Sequence, residues 1–139
     1  MSEIIELMER FNFCKSGNII LDSQEIPDFN LDQKKADHGW VYIWLEINKD
    51  EATVVYVGKA GKTLNERCQQ HRNGFKTSGT GKAHAERIRK GIRMDMRYEL
   101  WSKKAAVMNL FEEKNISMVC IEETAFIQKF VPAWNKKSN

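Results

Sequence analysis

The chain has 139 residues, of which 42% are hydrophobic, and this size and composition fit one globular domain with its own core. It contains no apolar run long enough for a signal peptide or a membrane span, so we expect a cytoplasmic protein that has no membrane partner. Three widely spaced cysteines, Cys14, Cys68 and Cys120, include no Cys-x-x-Cys pair, which argues against a disulfide framework and against a zinc site.

The net charge of +3 conceals a strong asymmetry along the chain. Residues 1–58 carry five basic and eleven acidic side chains, whereas residues 59–104 carry thirteen basic and four acidic ones. A positive block of this kind is what a partner with a phosphate backbone requires. The alternative is a solvated basic face that has no partner.

The N-terminal part of the chain is acidic and carries few chemical signals. Apolar residues at helical spacing predict a short helix from Ile4 to Phe13, and a small strand is predicted at Ile19–Leu21. The polar stretch from Asp22 to His38, which contains Pro27, is expected to be an extended loop.

Two strand-like runs in the middle of the chain carry one tyrosine each. Trp40 to Ile47 is apolar and aromatic nearly throughout, and Thr53 to Val57 is rich in β-branched side chains. Turn residues separate the two runs. The pattern therefore predicts an antiparallel hairpin with Tyr42 on its first strand and Tyr56 on its second.

A loop with two glycines, Gly58 to Lys62, follows the hairpin. Thr63 to Glu66 has the spacing of a capping box, which predicts that a helix begins at about Leu64. Arg67 and His71 lie four residues apart and are expected to share one face of that helix.

Further elements are predicted in the second half of the chain. The stretch from Gly74 to Lys82 has three glycines in nine residues, and we expect it to be flexible. A helix is predicted from Ala83 to Lys90, ended by Gly91, and strict alternation from Ile92 to Leu100 predicts a half-buried third strand.

The last part of the chain is predicted to form two helices, Ser102 to Glu113 and Ser117 to Val131, with Pro132 ending the second and a basic tail after Asn135. The expected fold class is α/β, more narrowly α+β, with a small and largely antiparallel three-stranded central sheet flanked by helices. We expect a single domain at 1–139, made of an N-terminal arm at 1–38 and a core at 39–135.

Several common kinds of site are excluded because their motifs do not occur in the sequence. Gly58 to Thr63 resembles only the end of a P-loop, because the first glycine of Gly-x-x-x-x-Gly-Lys-Ser/Thr is missing, and Gly-x-Gly-x-x-Gly does not occur. No Ser/His/Asp triad is readable, and no histidine pair has the spacing of metal ligands.

The order of several short motifs resembles the GIY-YIG nuclease domain. These motifs are Val41-Tyr42-Ile43, Tyr56-Val57-Gly58-Lys59, Leu64-x-x-Arg67-x-x-x-His71, and a glutamate helix that ends in Pro132-x-x-Asn135. The resemblance covers roughly residues 40–135, and its late motif, Phe126 to Asn135, is similar to the phage endonuclease II and small restriction endonuclease type. Trp40 departs from the family pattern, which usually has glycine there. Relative to that pattern, Gly61 or a neighbour is an extra residue between Tyr56 and Arg67.

The resemblance implies a metal-dependent endonuclease that hydrolyses phosphodiester bonds of double-stranded DNA. Arg67 would donate two parallel hydrogen bonds to the scissile phosphate, a geometry that is not available to lysine. Tyr42 and Tyr56 would face the phosphate, one as a base or water-orienting group and the other as a donor, provided that nearby cations lower the phenol pKa. Plain strand packing is the alternative for both tyrosines.

Other residues are assigned to catalysis or DNA binding by the same resemblance. His71 is a catalytic candidate, although a helix-face histidine can also pack or bind a backbone phosphate. Lys82 resembles a lysine that this type of enzyme places at the phosphate, and Asn135 either hydrogen-bonds within the site or ties down the C-terminal turn. The remaining DNA-binding candidates are Lys59, Lys62 and Arg72. His84 is left unassigned.

The resemblance places one divalent cation, Mg²⁺ with Mn²⁺ as a substitute, on a carboxylate of the last helix. Glu122 and Glu123 are adjacent and point about 100° apart on a helix. The phage-type pattern favours Glu122, whereas helix geometry and the repair-nuclease pattern favour Glu123. We assign Glu122 as the catalytic metal ligand and keep Glu123 as the alternative.

Two classes of function remain after this comparison. The first is a small DNA endonuclease of restriction, phage or mobile-element type, and the second is a nucleic-acid-binding module that has the fold without cutting. Because one site cuts one strand, a homodimer or homotetramer is the expected assembly.

Overall fold

The computed structural model describes residues 3–135, so the predicted basic tail lies outside the described residues. Its first half contains helix α1 (Glu3–Arg10), strands β1 (Cys14–Leu21), β2 (Pro27–Leu31), β3 (Trp40–Asn48) and β4 (Glu51–Ala60), and helix α2 (Leu64–Thr77). Its second half contains helix α3 (Gly79–Arg93), strands β5 (Arg97–Lys104), β6 (Val107–Leu110) and β7 (Glu113–Ser117), and helix α4 (Val119–Phe130).

The central sheet has five strands in the order β2-β1-β5-β3-β4, and neighbouring strands in it pair antiparallel. The predicted fold class, a largely antiparallel sheet flanked by helices, is therefore confirmed, and the three predicted central strands are the neighbours β5, β3 and β4. The predicted strand count was too low. β1 is longer than the predicted segment Ile19–Leu21, and β2 lies within the stretch predicted to be a loop.

The strand β2 was missed because its sequence is that of an edge strand. It begins at Pro27, a residue that lacks the N–H needed inside a ladder but is tolerated at the first position of a strand. Polar residues alternate with Phe29 and Leu31, which pack against the core. An edge strand needs only one buried face, so its apolar signal is weak.

The two faces of the sheet carry two hydrophobic clusters. Helices α2 and α3 cover the first face, which contains Tyr42, Trp44 and Tyr98. Helices α1 and α4 cover the second face, which contains Val41, Ile43 and other apolar residues. Consecutive β3 residues alternate between the clusters, because side chains of a strand point to opposite faces.

A bulge in the β3–β4 hairpin positions the second tyrosine. Trp44 pairs with Tyr56 and the next residue, Leu45, pairs with Val54, so Val55 is the extra residue of β4. Val55 packs in the first cluster and Val54 in the second. Tyr56 therefore lies opposite Trp44, on the same face of the sheet as Tyr42.

The glycine-rich stretch predicted to be flexible forms helix instead. Ser78 ends α2, and its Oγ accepts a hydrogen bond from the Gly81 N–H at 2.8 Å, which caps the start of α3. A side chain at Gly81 would overlap the backbone of Gly74. These glycines allow the two helices to approach closely, so they indicate packing here and not mobility.

Two predicted boundaries and one predicted helix were wrong. Gly91 does not end α3, because it lies inside the helix, where the Tyr98 ring occupies the space of a side chain. The third strand begins at Arg97 and not at Ile92, after a turn at Asp95 with φ of 64°. The predicted helix over Ser102–Glu113 is the end of β5 followed by the β6–β7 hairpin, which turns at Phe111 and Glu112 with φ of 51° and 69°.

The β6–β7 hairpin extends away from the body of the domain. All residues of both strands are exposed.

Among residues 3–135, no helix has the length and apolar character needed to cross a membrane.

Candidate active site

Tyr42 lies at the floor of the site, on the central part of the sheet. It is 1% exposed and pairs with Gly58 across the β3–β4 hairpin. A side chain at Gly58 would overlap the Tyr42 ring. The glycine in Tyr56-Val57-Gly58 therefore makes room for the first tyrosine.

An aromatic group surrounds the Tyr42 hydroxyl. Its Oη is hydrogen-bonded to Nε2 of His71, and either group can donate, depending on the histidine tautomer. The Tyr56 ring centroid lies 6.2 Å from that of Tyr42 and 5.7 Å from that of His71. Tyr56 is the more exposed of the two tyrosines, so its hydroxyl is the one that solvent and ligands reach first.

Helix α2 carries Arg67, the cationic residue of the site. It begins at Leu64, as predicted, and its N-cap Thr63 accepts a hydrogen bond from the Glu66 N–H at 3.2 Å through its side-chain oxygen. Arg67 and His71 share the face that packs beside the tyrosines, and the Arg67 guanidinium donates to Gln70 at 3.0 Å. The structure thus brings together four of the five residues assigned to catalysis: Tyr42, Tyr56, Arg67 and His71.

The pKa values in this group favour neutral side chains around one charged arginine. Burial raises the pKa of Tyr42 well above its usual range and raises the pKa of Tyr56, while the charge of Arg67 acts in the opposite direction on both. Burial, together with Arg67, lowers the pKa of His71 to about 3. His71 is therefore a neutral imidazole at neutral pH. For the two tyrosines, burial raises the pKa more than the charge of Arg67 lowers it, so the expected lowering of the phenol pKa is not seen.

The two candidate carboxylates lie in different surroundings. Glu122 is paired with Lys103 through one oxygen, and its other oxygen accepts the Ala106 N–H at 2.6 Å. These partners belong to the end of β5 and the start of the β6–β7 hairpin. Glu122 is thus held away from the tyrosines.

Glu123 is directed toward the exposed edge of β4. Its Oε1 lies 3.9 Å from Nζ of Lys59, and Glu123 and Arg67 are close enough for each to affect the pKa of Tyr56. Burial raises the pKa of Glu123, and the charges of Lys59 and Arg67 oppose that shift. Both carboxylate oxygens of Glu123 are free of hydrogen bonds to backbone or side chains among residues 3–135.

The predicted DNA-binding residues occupy several places. Lys59 is exposed and donates to Cys120 Sγ at 3.4 Å, and Lys62 is exposed beside Arg67 in a shallow recess. Lys82 is exposed on the first turn of α3. Arg72 is different because it forms an ion pair with Asp28 at 3.6 Å.

Asn135 covers the edge of the sheet. Its Oδ1 accepts the Val57 N–H at 2.9 Å, and its Nδ2 donates to the Val57 carbonyl at 2.8 Å. The Trp134 N–H adds a bond to the Val55 carbonyl at 2.9 Å. These contacts match the role of tying down the C-terminal turn against β4.

A cleft between α2, α3 and β4 holds His84, which sequence reasoning left unassigned. The cleft is lined by Tyr56, Arg67, Gln70, His71 and His84, with the glycines of the α2–α3 junction. His84 is 5% exposed, its Nε2 is hydrogen-bonded to the Trp134 carbonyl at 3.0 Å, and its ring centroid lies 5.2 Å from that of Tyr56. The only sequence signal for it was helical spacing to the buried Ile88.

Trp40, the departure from the motif, is a packing residue. It is 6% exposed in the same cluster as the tyrosines, and its Nε1 donates to the Asp37 carbonyl at 2.7 Å. The adjacent Gly39 has φ of 84°, so the backbone freedom of glycine is used one position earlier.

Comparison with known proteins agrees with this geometry. The family model of the GIY-YIG catalytic domain matches residues 38–130. No curated protein matches the chain by sequence.

Two solved structures have a similar fold. The structure of a bacteriophage T4 EndoII mutant is 19% identical, with a TM-score of 0.72, and the match covers 97% of this chain and 100% of that one. The restriction endonuclease Hpy188I, solved in complex with product DNA, is 13% identical, with a TM-score of 0.52, and the match covers 99% of this chain and 84% of that one. The chain belongs to the GIY-YIG family and is an endonuclease of that family, a phosphodiester hydrolase.

Proposed function

We propose that this protein is a metal-dependent endonuclease that cuts double-stranded DNA. The observation that carries the proposal is a cleft lined by Tyr56, Arg67 and His71. Tyr42 is hydrogen-bonded to His71, and Glu123 lies close enough to raise the pKa of Tyr56. The complex of Hpy188I with product DNA supports DNA as the substrate class. The excess of basic side chains in residues 59–104 supports a phosphate-backbone partner.

Arg67 is the residue that binds the scissile phosphate. It lines both the cleft and the recess beside Lys62, and its guanidinium donates a hydrogen bond to Gln70. A guanidinium in this position can donate two parallel hydrogen bonds to phosphate oxygens. Charge that develops on those oxygens during hydrolysis is then stabilised by a group already in place.

Tyr56 contacts the attacking water or the phosphate, and Tyr42 and His71 support it from behind. Tyr56 faces the cleft and orients the water or donates to a phosphate oxygen. Tyr42 lies behind it, with its hydroxyl bonded to Nε2 of the neutral His71. The neutral His71 fixes the orientation of the Tyr42 hydroxyl through this hydrogen bond and does not take its proton, because a pKa of about 3 makes His71 a weak base.

The metal is best placed on Glu123, the alternative ligand in the sequence assignment. Residues 3–135 contain no group of three or more His, Cys, Asp or Glu side chains that could hold a metal ion. A single carboxylate fits Mg²⁺, which keeps several of its waters and needs few protein ligands. Within the described part of the chain, Glu123 has only the ion pair with Lys59 at 3.9 Å and lies close enough to Tyr56 to affect its pKa, whereas Lys103 and the Ala106 N–H each bind one oxygen of Glu122. When bound, the cation supplies positive charge to the phosphoryl oxygens and the leaving oxygen.

A homodimer or homotetramer is the proposed assembly, and the β6–β7 hairpin supports it. Phe111 at its turn is 94% exposed, and further apolar side chains accompany it: Val107, Met108, Leu110 and Ile116. A two-stranded hairpin is marginally stable alone, and exposed apolar patches of this kind mark protein interfaces. Two joined copies would supply one site for each DNA strand.

The test is incubation of purified protein with supercoiled plasmid, with and without Mg²⁺, followed by sequencing of the ends. Nicked or linear plasmid in the presence of Mg²⁺ or Mn²⁺ is the expected result. Plasmid that stays intact under several metals, while the protein still binds DNA, would favour the non-catalytic binding module.

A further inference from the structure

A second recess adjoins the catalytic cleft at the N-terminal end of α3. It is lined by Gly79, Thr80, Ala83, His84, Arg87 and Trp134, among others. Thr80 and His84 also line the catalytic cleft, so the two spaces share one wall. A group bound in the recess is therefore next to the phosphate proposed to bind at Arg67.

Trp134 gives this recess an aromatic wall that is already rigid. The other three tryptophans are buried, with exposed fractions of 6% for Trp40, 0% for Trp44 and 8% for Trp101, whereas Trp134 is partly exposed. The backbone of Trp134 is bonded at its N–H to Val55 and at its carbonyl to His84. The ring itself packs against Tyr98 and His84, with centroid distances of 5.7 Å and 6.2 Å, so it loses little conformational entropy when a ligand contacts it.

Arg87 supplies positive charge at the same place. Its guanidinium carbon lies 5.9 Å from the centroid of the Trp134 ring. Its neighbours on α3 are tied down, because Arg89 binds Glu86 at 2.8 Å and Arg93 binds Glu25 at 3.2 Å. Arg87 forms no ion pair with any residue in the described range, and no carboxylate lines the recess.

An aromatic wall, a guanidinium and the absence of acidic groups suit a nucleobase that carries a phosphate. Stacking on aromatic rings is tolerant of base identity, because every base has a π face, and arginine adds a cation–π contribution. We propose that the recess binds the nucleobase of the nucleotide adjoining the scissile phosphate, with that base out of the duplex stack and against Trp134. The inference rests on the proposed nuclease function and adds a base-binding subsite to it.

The experiment measures binding in EDTA, so that no cleavage interferes. Octathymidylate is titrated against the full chain and tryptophan emission is followed, with an abasic octamer of equal charge as the comparison. We expect octathymidylate to quench the emission and to bind about tenfold more tightly than the abasic octamer. Equal affinity of the two oligomers would overturn the proposal, because the phosphates alone would then account for binding.

Three variants locate the effect. Ala83→Phe fills the recess from an exposed helix position, and Arg87→Gln removes the cation, so each should weaken octathymidylate binding about tenfold. Arg89→Gln, a charge change on the same helix outside the recess, should leave the affinity within twofold. Unchanged affinity and quenching in both Ala83→Phe and Arg87→Gln would contradict the subsite, and thermal melting would confirm that each variant is folded.

A free nucleotide is the other source of the same chemistry. Thymidine monophosphate is therefore titrated in parallel, and we expect it to bind at least tenfold more weakly than octathymidylate. Equal or tighter binding of the monophosphate would reject the DNA subsite in favour of a mononucleotide site. Octathymidylate binding that is weakened in Ala83→Phe and Arg87→Gln, together with intact plasmid in Mg²⁺, would contradict the nuclease function alone.

Discussion

At the scale of single residues, neighbouring positions in this chain have unlike roles. Glu122 and Glu123 are adjacent on α4, yet the first lies against Lys103 and the second beside Lys59 at the edge of β4. The Glu122–Lys103 pair is mostly buried, with side-chain exposures of 16% and 12%. A buried pair of this kind affects folding strongly when one partner is removed.

The two glutamates should therefore separate stability from activity. Glu123→Gln is expected to lower Mg²⁺-dependent plasmid nicking about 100-fold or more with little change in thermal melting. Glu122→Ala is expected to lower the free energy of unfolding by on the order of 3 kcal/mol, because it leaves the Lys103 ammonium buried without its partner. Denaturant titration and nicking assays on both variants measure this. Full nicking activity in Glu123→Gln would refute the metal assignment.

The low pKa of His71 makes stability depend on pH. The unfolded chain binds a proton at His71 near pH 6.5, whereas the folded chain does so only near pH 3. Because the unfolded state binds more protons in that window, the stabilising effect is complete above pH 6.5 and is lost as the pH falls toward 3.

His71 alone should contribute a slope of up to about 1.4 kcal/mol per pH unit between these values. Urea titrations from pH 7 to pH 4 on the wild type and on His71→Gln test this expectation. The variant should show a shallower decline, and His38→Gln, at an exposed position, should behave like the wild type. Equal slopes in the wild type and His71→Gln would exclude His71 as the cause.

At the scale of elements, glycines in this chain occur at sites of close packing as well as at the ends of helices. Gly91 lies inside α3 against the Tyr98 ring, and Gly81 lies against the backbone of Gly74. A sequence pattern cannot separate this use of glycine from a flexible loop, because both need a residue without a side chain. Helix α3 consequently begins and ends outside the limits that the sequence predicted.

Two alanine substitutions in α3 distinguish these uses of glycine. Gly91→Ala should lower the free energy of unfolding by about 1–3 kcal/mol, because the added methyl group overlaps the Tyr98 ring. Gly79→Ala has no atoms within 4 Å of the added carbon and should be neutral or slightly stabilising. Melting temperatures of the two variants provide the measurement. A stabilised Gly91→Ala protein would show that the helix and Tyr98 are not packed as described.

At the scale of the whole molecule, the sheet separates two halves of the site. Arg67 and His71 come from α2 on one face, whereas Glu123 comes from α4 on the other and lies beside Lys59 of the edge strand β4. The C-terminal turn closes that edge through Asn135 and Trp134. The residues proposed for the site therefore come from segments that are distant in sequence.

The proposed assembly is tested at its exposed hairpin. Phe111→Glu should convert a dimer or tetramer into monomers, because it places a charge at the centre of the apolar surface of the β6–β7 hairpin. Sedimentation velocity over a range of protein concentrations measures the change. Met94→Glu is the control, since Met94 is 59% exposed elsewhere on the surface. A wild-type protein that sediments as a monomer at all concentrations would contradict the proposal.

Local patterns in the sequence were sufficient to predict several elements of this protein. The alternation and β-branching around Tyr42 and Tyr56 predicted the hairpin, the Thr63–Glu66 spacing predicted the start of α2, and a four-residue interval placed Arg67 and His71 together. Each of these depends on contacts between residues close in the chain, so the signal lies within a short window.

Only the tertiary structure decided which carboxylate lies beside Lys59 at the edge of β4, where His84 and Trp134 lie, and what the glycine-rich and C-terminal stretches become. Each of these depends on contacts between distant segments: α4 with the edge of β4, α3 with the C-terminal turn, and Gly91 with Tyr98. A rotation of about 100° separates Glu122 from Glu123, and only packing against a particular strand selects between them. The sequence by itself determined the family and the helix face shared by Arg67 and His71, and long-range packing determined which side chains surround that face.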